Sequence, residues 1–217
     1  MKTSTAAKIE PNDRLRIAIV GATGNVGSRL VNEALGRGHV VTAITRNPES
    51  LSKRTDLVFA SGDAGSPESL SQILKEHDVV ISSVGFRVSK ADLLIDAVRR
   101  SGVKRYLVVG GAGSLEIAPG ELLVNSPQFP AEYRDEALGG KAFLDTLRAA
   151  QDLDWTMLSP SALFVPGLRT GKFKLGQESL LTGVDGKSWI TYEDFAVAML
   201  DEIESPQHVR RRFTVGY

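Results

Sequence analysis

The stretch that most constrains this chain is Arg16-Ile17-Ala18-Ile19-Val20-Gly21-Ala22-Thr23-Gly24-Asn25-Val26-Gly27. A short apolar, β-branched run stops at a glycine, and two more glycines follow at three-residue spacing. Val26-Gly27-Ser28-Arg29-Leu30-Val31 then opens a helical pattern. Strand, glycine turn and helix in that order make a phosphate-binding turn. The glycines let the backbone approach a pyrophosphate, and the free N–H groups of the helix start face the anion. The spacing is G-x-x-G-x-x-G, not the G-x-G-x-x-G of the dinucleotide fingerprint. Turns between strands and helices also use glycine for steric reasons alone, so the flanking strand and helix carry the reading.

The pattern continues down the chain. Val26, Leu30, Val31, Ala34 and Leu35 mark one face of a helix that closes at Gly36-Arg37-Gly38. His39 to Thr45 is a second strand, which completes a βαβ unit with a parallel sheet and a right-handed crossover. Further strands are predicted at Leu57–Ala60, Val79–Gly85, Tyr106–Val109 and Trp155–Leu158. Ser66-Pro67-Glu68 starts one helix, Ala91 to Ser101 forms another, and Ala131 to Gln151 a third in spite of Gly139-Gly140. Ser114 to Pro130 has three prolines and no sustained period and reads as a loop. Residues 161–190 read as a small hairpin-like insertion on the substrate side. Thr191-Tyr192-Glu193-Asp194 resembles a capping sequence for a helix through Ile203, and Arg212–Gly216 supplies a last strand. The expectation is a single α/β domain over 14–217, Rossmann-like, with a doubly wound parallel sheet, behind a polar, flexible tail at 1–13.

The bulk numbers exclude several classes. With 26 basic and 26 acidic residues the formal net charge is zero, and nothing global draws the chain to nucleic acid or an anionic membrane. The absence of cysteine removes disulfides, thiolate metal sites and cysteine nucleophiles. No apolar run approaches a membrane span, and 1–13 lacks the apolar centre of a secretory signal. A soluble, cytoplasmic protein is the expectation, with no metal site. Its partner is a small molecule, with neither nucleic acid nor membrane involved; the oligomeric state is not legible.

In doubly wound sheets ligands bind beyond the carboxyl ends of the strands, near the switch point. Those ends carry Gly21, Ala22, Thr23, Gly24, Asn25, Val26 and Gly27; Thr45-Arg46-Asn47; Gly62-Asp63-Ala64; Ser82-Ser83-Val84-Gly85; Gly110-Gly111-Ala112-Gly113; and Ser159-Pro160. Between Ala34 and Pro48 there is no Asp or Glu to accept from a ribose 2′-hydroxyl, and Arg46 stands at the strand end. A guanidinium there suits a 2′-phosphate, so NADP(H) is favoured over NAD(H); the bland alternative is a solvated arginine. Asp63 accepts from an adenine amino group or simply forms an Asx turn. Ser83 and Gly85 are cofactor contacts by position, or packing at a strand end.

No tyrosine has the spacing of a catalytic acid. Tyr106, Tyr133 and Tyr192 are followed four residues on by Gly110, Ala137 and Ala196, so no Y-x-x-x-K pair exists. Ser114 has no tyrosine partner, Lys141 lies eight residues beyond Tyr133, and His39, His77 and His208 lack the spacing of a triad or metal site.

With these residues in view, the chain resembles an atypical short-chain dehydrogenase/reductase of the NmrA-like NAD(P)-binding group, in its NAD(P)H-flavin reductase branch. Residues 21–27, Val108-Val109-Gly110-Gly111-Ala112-Gly113, Asp154-Trp155-Thr156-Met157-Leu158-Ser159-Pro160 and Arg212-Phe213-Thr214-Val215-Gly216-Tyr217 carry the likeness. The resemblance implies that Gly21 to Gly27 hold the pyrophosphate, Arg46 the 2′-phosphate and Asp63 the adenine side. Ser83, Val84 and Gly85 would lie along the ribose. Gly111, Ser159 and Pro160 would stand near the nicotinamide, and Phe164 would wall the acceptor pocket. The implied activity is hydride transfer from NADPH to a flavin, or to a quinone or tetrapyrrole. The alternative is a non-catalytic NADP(H)-binding redox sensor. The missing Y-x-x-x-K speaks against carbonyl reduction and sugar epimerisation.

Overall fold

The computed structural model describes residues 14–48 and 55–217; the tail expected at 1–13 lies outside them. The elements alternate from the start: β1 (Arg16–Val20), α1 (Asn25–Gly36), β2 (Val40–Thr45), β3 (Leu57–Ser61), α2 (Pro67–Leu74), β4 (Val79–Ser82), α3 (Ala91–Ser101) and β5 (Arg105–Val109). After β5 come the short strands β6 (Glu116–Ala118) and β7 (Glu121–Leu122), then α4 (Ala131–Ala149) and β8 (Asp154–Pro160). The chain continues through β9 (Leu163–Val165), β10 (Lys174–Gly176), β11 (Trp189–Thr191), α5 (Tyr192–Glu204) and β12 (Arg211–Gly216).

Eight strands form one sheet in the order β10-β12-β8-β5-β4-β1-β2-β3. All pairs are parallel except β10, which runs antiparallel along β12 at the edge. The chain leaves β1 toward β2 and β3 and returns to β4 on the other side, so the order reverses between β1 and β4. This is the switch point of a doubly wound sheet.

Both faces are buried, and the strands alternate between two cores. Ile17 and Ile19 face the side of α1 and α5 with Leu30, Ala34, Phe195 and Met199. Ala18 and Val20 face α2, α3 and α4 with Leu70, Leu94, Val98, Phe143 and Leu147. In β8, Trp155 and Met157 join the second cluster and Leu158 the first. Helix α3 stops at Gly102, which adopts a left-handed φ of 83° and donates to the Arg99 carbonyl.

Three expectations need correction. The stretch Ser114 to Pro130 is not irregular: β6 and β7 pair antiparallel, and a 3₁₀ turn at Leu123–Asn125 follows. The insertion at 161–190 is not a hairpin. Strand β9 pairs in parallel with β11, while β10 joins the main sheet; their partners are supplied from far along the chain, which local turn signals do not report. The fourth strand ends at Ser82, not Gly85, because Ser83 turns its carbonyl onto the glycine turn.

Candidate functional site

The glycine turn sits at the switch point and is built by close approach. Gly21 has φ +82°, and a Cβ there would lie 2.3 Å from the Ser83 carbonyl oxygen. A Cβ at Gly27 would lie 2.1 Å from the Gly21 carbonyl oxygen, so α1 seats directly on the turn. Gly24 is the N-cap residue, with no side-chain cap and no acid in the first turn. The first-turn N–H groups of α1 are therefore without a side-chain acceptor among the described residues. Helix α5 contrasts with it: the Thr191 hydroxyl accepts from the Asp194 N–H at 3.1 Å, and Glu193 and Asp194 sit in its first turn. The Asp194 carboxylate takes the Thr170 and Gly171 N–H groups at 2.7 and 2.8 Å, with the Thr170 and Tyr217 hydroxyls also donating to it. Burial pushes this carboxyl up, but the hydrogen bonds from Thr170, Tyr217 and Gly171 hold it below the ordinary range.

The end of β2 is tied to the turn. Gly21 and Ala22 donate to the Ile44 carbonyl at 3.0 and 3.3 Å, and the Thr23 and Thr45 hydroxyls meet at 3.3 Å. Arg46 is thereby held beside the turn with an exposed side chain that has no carboxylate partner among the described residues. Asp63 lies one strand further out. One carboxylate oxygen accepts from the Gly65 N–H at 2.8 Å, an Asx turn, and the other takes no hydrogen bond among the described residues. Ala64 is half-buried beside it.

At the end of β4, Ser83 and Val84 back onto Gly21, and exposed Gly85 meets Glu136 of α4. Glu136 accepts from the Phe86 and Arg87 N–H groups at 2.7 and 3.0 Å and so fixes the loop. The Phe86 ring lies in a notch made by Gly139 and Gly140, edge-on to Phe143 at 5.3 Å, with Gly111 of the next strand end beside it. Phe86 and Glu136 were missed from sequence. The signal was the glycine pair inside a helix, which makes sense only if something packs there.

Ser159 and Pro160 close the β8 end and are both buried. The Ser159 hydroxyl has no hydrogen-bond partner among the described residues and lies beneath Gly110. Phe164 is half-buried, its ring 4.7 Å from Tyr192 and 4.8 Å from Phe195, on the α1 and α5 side. The structure thus gathers residues 21–27, Arg46, Ser83–Gly85 and Gly111 along one edge. Asp63 stands at its outer end and Phe164 against the core.

Tyr106, Lys141 and the three histidines are engaged elsewhere. Burial pushes the Tyr106 hydroxyl up, and it bonds Ser82 at 2.9 Å. Lys141 pairs with Asp145 at 2.8 Å on an exposed face. His39, His77 and His208 precede β2, β4 and β12, at the amino ends of parallel strands. Their partners are Glu204, Thr42 and Glu202. No helix among the described residues is long and apolar enough to cross a membrane.

Sheet order, switch point and glycine turn define a dinucleotide-binding Rossmann-like protein, and comparison with known proteins agrees. Residues 21–206 match the model of the NAD(P)H-binding family, and the chain belongs to that family. Protein YwnB of Bacillus subtilis is 36% identical over 211 residues, spanning 93% of this chain and 98% of its own. Two solved structures are close. One, from Bacteroides thetaiotaomicron and provisionally assigned as an epimerase, is 39% identical with a TM-score of 0.89, over 94% of this chain and 97% of its own. The other, from Streptococcus pneumoniae and provisionally assigned as an NADH-flavin reductase, is 33% identical with a TM-score of 0.80, over 93% and 99%.

Proposed function

We propose that the chain is an NADPH-dependent oxidoreductase that delivers hydride to a flavin or a similarly conjugated acceptor. The observation that carries this reading is the tight glycine turn of Gly21, Gly24 and Gly27 under an α1 with no side-chain cap, with Arg46 at the adjoining end of β2. A pyrophosphate suits such a turn, because the glycines let the backbone fold close under the helix start, whose first N–H groups are open to an anion. In this reading the backbone of residues 21–27 holds the pyrophosphate, Arg46 the 2′-phosphate, and the spare Asp63 oxygen the adenine amino group. Ser83, Val84 and Gly85 run along the ribose, Phe86 and Gly111 wall the nicotinamide end with Ser159 and Pro160 behind it, and Phe164 borders the acceptor. Bound there, NADPH supplies the hydride, and the proton the acceptor takes up comes from water. The chain's contribution is to bind and orient, holding reacting atoms at roughly 3–3.5 Å.

The acceptor class follows from what the edge lacks. Ala137 stands four residues before Lys141, so the tyrosine of a Y-x-x-x-K pair is missing. Tyr106 and Tyr217 are tied up by Ser82 and Asp194. A conjugated ring that needs no tuned side-chain acid suits this site better than a carbonyl or a sugar. The provisional assignment of the Streptococcus pneumoniae relative supports the same acceptor.

The test follows NADPH absorbance with FMN, riboflavin, quinones and biliverdin in turn. Oxidation with at least one acceptor, faster from NADPH than from NADH, is expected. Tight coenzyme binding with no oxidation across the panel overturns the enzymatic reading and favours a non-catalytic redox sensor.

A further inference from the structure

A second concavity lies far from the glycine turn, where β10 leaves β12. The two strands pair only from Thr214 to Gly216. Beyond Gly176 the chain turns away, and Glu178 and Leu180 bond to Glu116 instead. The gap this opens beside Arg211 and Arg212 is a cavity of about 290 Å³.

Its lining is unusual in charge. Arg148, Arg210, Arg211 and Arg212 face it with Trp155 and His208, and Glu178 is the one carboxylate among the lining residues. Arg148 and Arg210 have Asp145 and Asp154 at 3.5 and 3.1 Å. Glu178 bridges Arg148 and Arg212. Arg211 has no side-chain partner among the described residues, so positive charge is left over.

Two buried donors in the lining are also unused. Arg212 is 5% exposed; its terminal nitrogens reach Ser114 and Glu178, but its Nε–H has no partner among the described residues. Trp155 is 2% exposed, and its Nε1–H likewise has none among the described residues. Arg212 pairs with Met157 in the sheet, and Met157 and Trp155 share one face. The two donors therefore come from neighbouring positions on one side, beneath Arg148 of α4. Buried N–H groups are rarely left without an acceptor.

We propose that this cavity binds a small oxyanion, a phosphate or carboxylate group. Arg148 and Arg211 supply its charge-assisted contacts, and the unpaired Trp155 Nε1–H and Arg212 Nε–H lie in the wall behind it. The volume lies at the lower end of ligand sites and suits a small metabolite, not a dinucleotide. This site is independent of the coenzyme reading.

Trp155 and Trp189 are the only two tryptophans of the chain, so Trp189→Phe leaves Trp155 as the sole indole reporter. That variant is titrated with inorganic phosphate and, separately, with acetate in a chloride buffer of low ionic strength. Calorimetry on the unaltered chain runs in parallel. A saturable change in Trp155 emission is expected with at least one anion, and the anion that binds identifies the group. Arg148→Ala and Arg211→Ala should each weaken binding by about three- to tenfold, the scale of one charge-assisted contact. Arg46→Ala should leave it unchanged. The proposal is overturned if neither method detects saturable binding, or if binding survives in the Arg148→Ala/Arg211→Ala double variant. It is also overturned if binding disappears in Arg46→Ala, which puts the anion at the glycine turn.

Discussion

The ring of Phe86 occupies the space that a side chain at Gly140 would need: a Cβ there would stand 3.0 Å from both Cδ2 and Cε2 of the ring. A helix ordinarily loses stability with glycine at its centre, and here the loss makes room for the loop that borders the β4 and β5 strand ends. Gly140→Val should drive Phe86 out of the notch and destabilise the fold by about 1–3 kcal/mol, as overpacking does. Urea unfolding measures this, and unchanged stability would show that the loop repacks freely.

The approach of Gly27 to Gly21 is tighter still, and backbone lies on both sides of it. Gly27→Ala should shift the start of α1 off the turn. Coenzyme affinity should then fall at least about tenfold, the consequence of losing one or two aligned N–H donors. Calorimetry with NADPH reads this directly; wild-type affinity in the variant would remove the turn from the site.

Arg46 should set coenzyme choice. Removing a guanidinium from a phosphate costs about 1.5–3 kcal/mol, which is roughly ten- to a hundredfold in affinity. Arg46→Ala should therefore weaken NADPH by that factor and NADH hardly at all. An unchanged NADPH to NADH ratio would return Arg46 to the role of a solvated surface residue.

Asp194 makes stability depend on pH. Its carboxyl is held below the ordinary aspartate value of 3.8. Stability from this group is thus fully present above that value and lost as pH falls through the lower folded-state pKa. Melting temperature should drop as pH falls below about 4 in the wild type. Asp194→Asn should flatten that part of the drop and cost about 2–3 kcal/mol at neutral pH, from the weakened bonds to Thr170, Gly171 and Tyr217. An identical acid profile in the variant would assign the pH dependence to other carboxylates.

The parts of the fold legible in sequence are those specified by neighbours along the chain. Arg16 to Leu35 reads as strand, turn and helix because each change of periodicity falls where the geometry changes, and Thr191 announces α5 through its own capping hydroxyl. Arg46 is found because its place follows from counting strands. Glu136 and Phe86 are fifty residues apart, and neither carries a local pattern that points to the other. The pairing of β9 with β11 is hidden for the same reason, since three-residue strands have no period to read. Asp63 is intermediate: the turn it forms is local and legible, while the free oxygen that makes it a ligand candidate emerges only in three dimensions.

All three imidazoles precede their strands, on the edge of the sheet opposite the glycine turn. Their side-chain hydrogen bonds go to Glu204, Thr42 and Glu202, which keeps all three away from the coenzyme edge. A turnover profile that bends near pH 6 would instead track the coenzyme's own 2′-phosphate, whose second ionisation falls at about that pH, as it gains or loses charge against Arg46. In that profile the titrating group belongs to the ligand, and replacing NADPH by NADH would erase the bend.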